Sequence, residues 1–206
     1  MNMNGLAAVV IAYLLGAIPF GFLLVRLTTG KDVRQSGSGN IGATNVLRTT
    51  GRWQAIVTLL LDIAKGFAAV WIAAVLTGGS PTANVPLWTS LAALAVIAGH
   101  AYPVFLKFKG GKAVASFIGA FLYLTPVPLI AASLLFVLVV AGTRYISAGS
   151  VMAAGTFPLG VWLIEHPPME VLAASIIAGV FIVSRHKANL QRIHAGNENV
   201  FRWKRP

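Results

Sequence analysis

The stretch Ala113–Gly142, AVASFIGAFLYLTPVPLIAASLLFVLVVAG, carries no charge and is interrupted only by Pro126-Val-Pro128. It reads either as one long kinked helix or as a hairpin of two short ones, and the choice sets the topology of the whole chain. Proline lacks the N–H that a helix interior needs, so the interruption marks a kink or a break. Charge decides between them. If the stretch is a hairpin, every loop carrying Lys or Arg falls on one side of a membrane: 28–52, 107–112, 144–147 and the tail from 185. The other side then holds the N-terminus, 78–86, 126–128 and 165–170, with Glu165 and Glu170 but no Lys or Arg. A single crossing would put basic loops on both faces. The bias of Lys and Arg sets orientation in a membrane, so the hairpin is preferred.

Working outward, the remaining apolar runs complete seven spans, at about 5–27, 53–77, 87–106, 112–125, 127–143, 147–164 and 168–184. The expectation is an all-α integral membrane protein with a single domain over 1–206, its N-terminus outside and its C-terminus cytoplasmic. The first run is long enough to cross, at ~1.5 Å per residue. It follows Met1-Asn2-Met3-Asn4, with no positive n-region, so it reads as a retained span rather than a cleaved signal. The hairpin helices are short and need tilt, local thinning or protein cover.

Composition supports this reading. Of 206 residues, 57% are hydrophobic and 10% charged, against roughly 25% charged in soluble domains. The net charge of +11, from 16 Lys and Arg against 5 Asp and Glu, would suggest nucleic acid in a soluble protein. Here the positive-inside bias accounts for it, and no nucleic-acid partner is expected. The absence of cysteine excludes disulfides and thiolate chemistry.

This topology gathers four polar segments on the cytoplasmic face. The first is Ser36-Gly37-Ser38-Gly39-Asn40-Ile41-Gly42-Ala43-Thr44-Asn45, with Arg48 three residues on. Alone it reads first as a flexible linker. As an anion cradle it offers backbone N–H groups, neutral donors and a guanidinium fork. The second, Lys107-Phe-Lys-Gly-Gly-Lys112, reads as an anionic-lipid patch or as a phosphate clamp with Gly110 and Gly111 giving close backbone access. It is not a nucleotide loop, because Leu106 and Ala113 occupy the Gly and Ser/Thr positions. The third is Arg144–Ser147. In the tail, His186, Asn189 and Arg192 recur every three residues, the spacing of one helix face, which suits either a solvated helix or a site for an alcohol and a phosphate. Asp62 and Lys65 lie three apart inside the second span and read as a structural ion pair. His100, just before Pro103, reads as a packing or capping residue.

Several enzyme classes are excluded. Two Asp, three Glu, four His and no Cys form no ligand-spaced cluster, so no metal is expected. No His is followed five residues later by Asp, as a His-x4-Asp acyltransferase requires. Aspartate-rich phosphatidyltransferase motifs need more Asp than the chain holds.

Three motifs in order, Gly37–Asn45, Gly99–Lys112 and His186–Glu198, together resemble the bacterial acyl-phosphate:glycerol-3-phosphate acyltransferase family (PlsY type), over nearly the whole length. The departure is at Ala113 and Ser116, where that family usually has glycine and threonine. The resemblance implies acyl transfer from a fatty acyl phosphate to the 1-hydroxyl of glycerol 3-phosphate, without a cofactor, by a monomer in the bacterial cytoplasmic membrane with its active site on the cytoplasmic face. It implies catalytic roles for Ser38, Arg48, Lys112, His186 and Asn189. Substrate binding is implied for Gly37, Ser38, Gly39, Asn40, Gly42, Thr44, Asn45, Arg48, Lys107, Gly110, Gly111, Lys112, Ser147, His186, Asn189, Arg192 and Glu198. Membrane lipid is the surrounding partner. A transporter for a phosphorylated solute is the alternative reading of the same basic face.

Overall fold

A computed structural model describes residues 2–79 and 84–201. The expected turn at 78–86 and the tail to 206 therefore lie partly outside the described residues. All regular structure among the described residues is helical, in two compact units, Met1–Leu124 and Thr125–Pro206.

The first unit holds α1 (Met3–Ala17), α2 (Phe20–Thr29), α3 (Ala43–Thr49), α4 (Arg52–Gly78), α5 (Val85–Ala101) and α6 (Val114–Leu124). The first apolar run is not continuous. It breaks at Ile18–Pro19, because Pro19 has no N–H to extend α1. The bundle packs α1 on α5 and α4 on α6. Glycines let these backbones touch. A Cβ on Gly99 would strike the Tyr13 carbonyl of α1, and one on Gly66 would strike the Ser116 carbonyl of α6. Within lipid, where apolar side chains gain nothing by leaving their surroundings, such close approach supplies the packing energy.

The second unit holds α7 (Pro126–Thr143), α8 (Ile146–Ile164), α9 (Met169–Arg185) and α10 (Lys187–His194). The helix ends at Leu124 and restarts at Pro126, with Thr125 outside the helical conformation. The expected break is thus present, at the position where proline is tolerated as the first helical residue. Glu165 reaches back to cap α7, accepting the Val127 N–H at 3.2 Å. α9 and α10 meet at His186 with a bend of 51°.

Met3–Thr29, Arg52–Gly78, Val85–Leu106, Pro126–Thr143 and Ile146–Ile164 are long and apolar enough to cross a membrane, and a sixth span follows if the bent pair from Met169 to His194 counts as one. Their outward faces carry Trp71, Leu138 and Trp162, among many exposed apolar side chains. The chain is a multi-span membrane protein. The expected span at 112–125 forms only the helix Val114–Leu124, whose 11 residues reach about 16 Å, short of a ~30 Å hydrocarbon core.

Candidate active site

In the first unit, the glycine-rich stretch is a built loop. Beneath it lies an apolar cluster of Val25, Val33, Ile41, Val46, Ala55 and Leu106. Asp32 and Arg34 pin its entry. Arg34 forks onto the carboxylate at 2.7–3.2 Å and lies 4.9 Å over the Phe22 ring. Hydrogen bonds from the Arg34 side chain hold the Asp32 carboxyl below the usual carboxylate range, against a smaller opposing effect of burial.

The loop closes around Asn45, which is 1% exposed. Its amide donates to the carbonyls of Val33, Ser36 and Asn40 at 2.8–3.1 Å, and its Oδ1 accepts the Ser38 N–H at 2.8 Å. One side chain thereby fixes both shoulders of the turn. Gly37 and Gly39 sit at φ +61° and +70°, a conformation side chains disfavour. A Cβ on Gly37 would also collide with Asn45 Oδ1. Asn40 Oδ1 accepts the Gly42 N–H at 2.8 Å. Ser38 lies exposed at the loop tip, Thr44 is half-buried in the first turn of α3, and half-buried Arg48 sits in its last turn.

The Lys107–Lys112 loop is pinned onto the end of α5. The Gly110 N–H donates to the Ala101 carbonyl at 3.2 Å, and the Gly111 N–H to the His100 carbonyl at 3.1 Å. These amides are committed to the helix end, so what the two glycines contribute is their small size. Lys107 is exposed and Lys112 half-buried. Ala113, buried at φ +62°, holds the left-handed conformation glycine favours.

Below this loop lies a polar cluster that sequence spacing did not assemble. Lys65 Nζ is 2.9 Å from Asp62 Oδ1 and donates to the Ile18 carbonyl at 2.8 Å, at the break between α1 and α2. His100 Nδ1 lies 3.6 Å from the same carboxylate oxygen and 3.2 Å from Ser116 Oγ. Two in-span charges demand partners, and His100, expected only to pack or cap, joins them.

In the second unit, Glu198 gathers the tail residues. Its carboxylate accepts from Ser147 Oγ at 3.1 Å, Asn189 Nδ2 at 2.7 Å and Arg192 Nε at 2.7 Å. Gly196, at φ +70°, turns the chain after α10 so that Glu198 comes back to it. Farther on, the Phe201 N–H donates to the Arg144 carbonyl. Burial works to raise the Glu198 carboxyl, but the hydrogen bonds from Asn189, Arg192 and Ser147 and the Arg192 charge outweigh it and hold the carboxyl below the usual glutamate range. His186 is buried, and its Nδ1 lies 2.8 Å from the Ile182 carbonyl. A carbonyl only accepts, so Nδ1 carries the proton and the lone pair of the neutral ring is on Nε2. Among the described residues no group of three His, Cys, Asp or Glu side chains is placed to hold a metal ion.

A family model described as glycerol-3-phosphate acyltransferase matches residues 6–196. The chain belongs to the glycerol-3-phosphate acyltransferase family. It is 44% identical to the glycerol-3-phosphate acyltransferase of Geobacter sulfurreducens, over 97% of this chain and 99% of that one. With that of Trichlorobacter lovleyi it shares 47%, over 93% and 94%. Among solved structures it resembles PlsY (YgiH), an integral membrane glycerol 3-phosphate acyltransferase. The TM-score is 0.88 to the glycerol 3-phosphate form, at 36% identity over 96% of both chains. Against the lysophosphatidic acid form it is 0.85, at 34% identity over 96% and 95%. Members of this acyltransferase family are thus similar to the chain through both of its units, from the first helix to the tail.

Proposed function

We infer that the chain transfers a fatty acyl group from acyl phosphate to the 1-hydroxyl of glycerol 3-phosphate, giving lysophosphatidic acid and inorganic phosphate for phospholipid synthesis. The observation that carries this is the near-full-length likeness to a PlsY structure in its glycerol 3-phosphate form. The chemistry fits the residues. The 1-hydroxyl oxygen attacks the acyl carbonyl carbon, and the carbonyl electron pair moves onto its oxygen. When that pair returns, the bond from carbon to the bridging oxygen breaks and phosphate departs with that oxygen. Phosphate is a good leaving group, so the site must chiefly stabilise negative charge.

On this reading the loop from Gly37 through Gly42, with Ser38, cradles the acyl phosphate. Arg48 and Lys112 neutralise phosphate charge, and Lys107 draws the anion in. His186, Asn189, Arg192 and Ser147 orient glycerol 3-phosphate, with Glu198 holding three of them in place. His186 Nε2 accepts the hydroxyl proton. Asn45 acts by shaping the loop, and Asn40 and Thr44 complete its polar edge. The same reading makes the chain one acyltransferase domain that works as a monomer. It has seven spans, the short α6 included, with its N-terminus outside and its C-terminus and chemistry on the cytoplasmic side of a bacterial membrane. The supporting fact is that, with seven spans, every loop carrying Lys or Arg falls on one side.

The test is direct. Purified protein in lipid, given acyl phosphate and labelled glycerol 3-phosphate, makes lysophosphatidic acid with no cofactor added. Absence of product, together with glycerol 3-phosphate uptake into sealed vesicles, would replace this reading with transport.

A further inference from the structure

The buried cluster below the Lys107–Lys112 loop has no place in the transfer reaction as written. Its members are strongly sequestered: Asp62 is 2% exposed, Lys65 5%, His100 3% and Ser116 0%. Burying ions in an apolar bundle is expensive unless they are paired and oriented. Each of these groups is held. Lys65 has Asp62, the Ile18 carbonyl and the Phe20 ring, 5.6 Å from its nitrogen. His100 has Ser116 and the Asp62 carboxylate at Nδ1. Its ring is therefore fixed from below.

What the ring meets above is the phosphate loop. A Cβ built on Gly111 would run into His100 Nε2, would stand 2.9 Å from Cδ2, and would lie 3.4 Å from Asn40 Oδ1. The backbone of the same histidine accepts the Gly111 N–H. So His100 supports Gly111 with both its carbonyl and its ring, and Asn40 of the glycine-rich loop approaches the same spot. Lys112 is the next residue along.

We propose that His100 is a positioning residue for this reaction: anchored by Ser116 and the Asp62–Lys65 pair, its imidazole holds Gly111 and thereby sets where Lys112 meets substrate phosphate. The role of Lys112 rests on the function proposed above, whereas the support of the loop rests on geometry alone. Removing the ring leaves a void under Gly111, and the loop settles into it. The loss then falls on kcat/KM, since a displaced Lys112 no longer meets the substrate phosphate.

The chain has no cysteine, so a single introduced one takes a spin label uniquely. Lys109→Cys reports on the loop and Lys31→Cys on another exposed turn. His100→Ala is made in each, with Ser116→Ala and His100→Gln as milder variants that carry the same comparison if the alanine does not fold. The expected result is a mobile label at 109, an unchanged label at 31, and kcat/KM for glycerol 3-phosphate reduced about tenfold, since coupling of this kind is worth on the order of 1 kcal/mol. An unchanged label at 109, equal loosening of both labels, or undiminished kcat/KM overturns the proposal. The unsubstituted labelled proteins, assayed alongside, report separately whether acyl phosphate is a donor at all.

Discussion

Substituting Asn45 by Ala removes the side chain around which the glycine-rich loop closes. That amide has two N–H groups shared among three carbonyls and one oxygen accepting from Ser38, all within 2.8–3.1 Å. Counted as three full hydrogen bonds at ~1 kcal/mol each, the loss is about 3 kcal/mol. The closed loop is weakened by that amount against an open, solvated one. At ~1.4 kcal/mol per tenfold, the ratio of closed to open loop falls about a hundredfold. The helices do not depend on these bonds, and the apolar cluster under the loop is untouched. Asn45→Ala should therefore lower turnover in a lipid-reconstituted acyl-transfer assay, by up to about two orders of magnitude, with only a small shift in the thermal unfolding of the bundle. Asn45→Asp should do no better. It keeps an acceptor for the Ser38 N–H but replaces the NH2 group, with both its donors, by a carboxylate oxygen that repels three carbonyls. A fully active Asn45→Ala protein would refute the idea that this side chain builds the cradle.

Other consequences follow from the same geometry. Replacing Ala113 by Gly relieves about 1 kcal/mol of left-handed strain but gives up a buried methyl worth about 0.8 kcal/mol, so thermal stability and turnover should barely move; Ala113→Val, β-branched at φ +62°, should lose activity. His186→Gln should lower kcat about a hundredfold and remove the acidic limb of the pH–rate profile; retention of most of the rate would hand the role of base to the substrate phosphate. The Glu198 carboxyl is lowered on folding from its ordinary 4.5. Its contribution to tail docking is thus complete above that value and disappears as pH falls through the lowered one. Hydrogen exchange of α10 should accelerate on acidification in the native chain, and Glu198→Gln should show fast exchange already near neutrality and no such pH step.

Much of the fold could be read from the sequence because lipid imposes simple rules. Long uncharged runs gave helices, and Pro126 and Pro128 gave the break before α7. Pro19 carried the same signal inside the first run but was overlooked there, since the run is long enough to cross unbroken. The helix Ala43–Thr49 was also missed, because a glycine-rich neighbourhood masks so short a periodic pattern. Within the site, residue types that match phosphate stood out, but partners distant in sequence did not. Nothing in its spacing says that Asn45 hydrogen-bonds residue 33, that Glu198 joins Ser147 to Asn189, or that His100 sits beside Asp62. Those are products of packing. The Gly110 and Gly111 amides illustrate the same limit: glycine signals close approach, but only the structure shows that the approach is to the end of α5.

The central claim, direct attack on the acyl carbon with phosphate as leaving group, is tested by acyl phosphate carrying heavy oxygen at the bridging position. With purified protein in lipid and chelator present, the label should appear wholly in inorganic phosphate, one released for each lysophosphatidic acid formed. Label retained in lysophosphatidic acid, or no reaction until a divalent metal is restored, would contradict it.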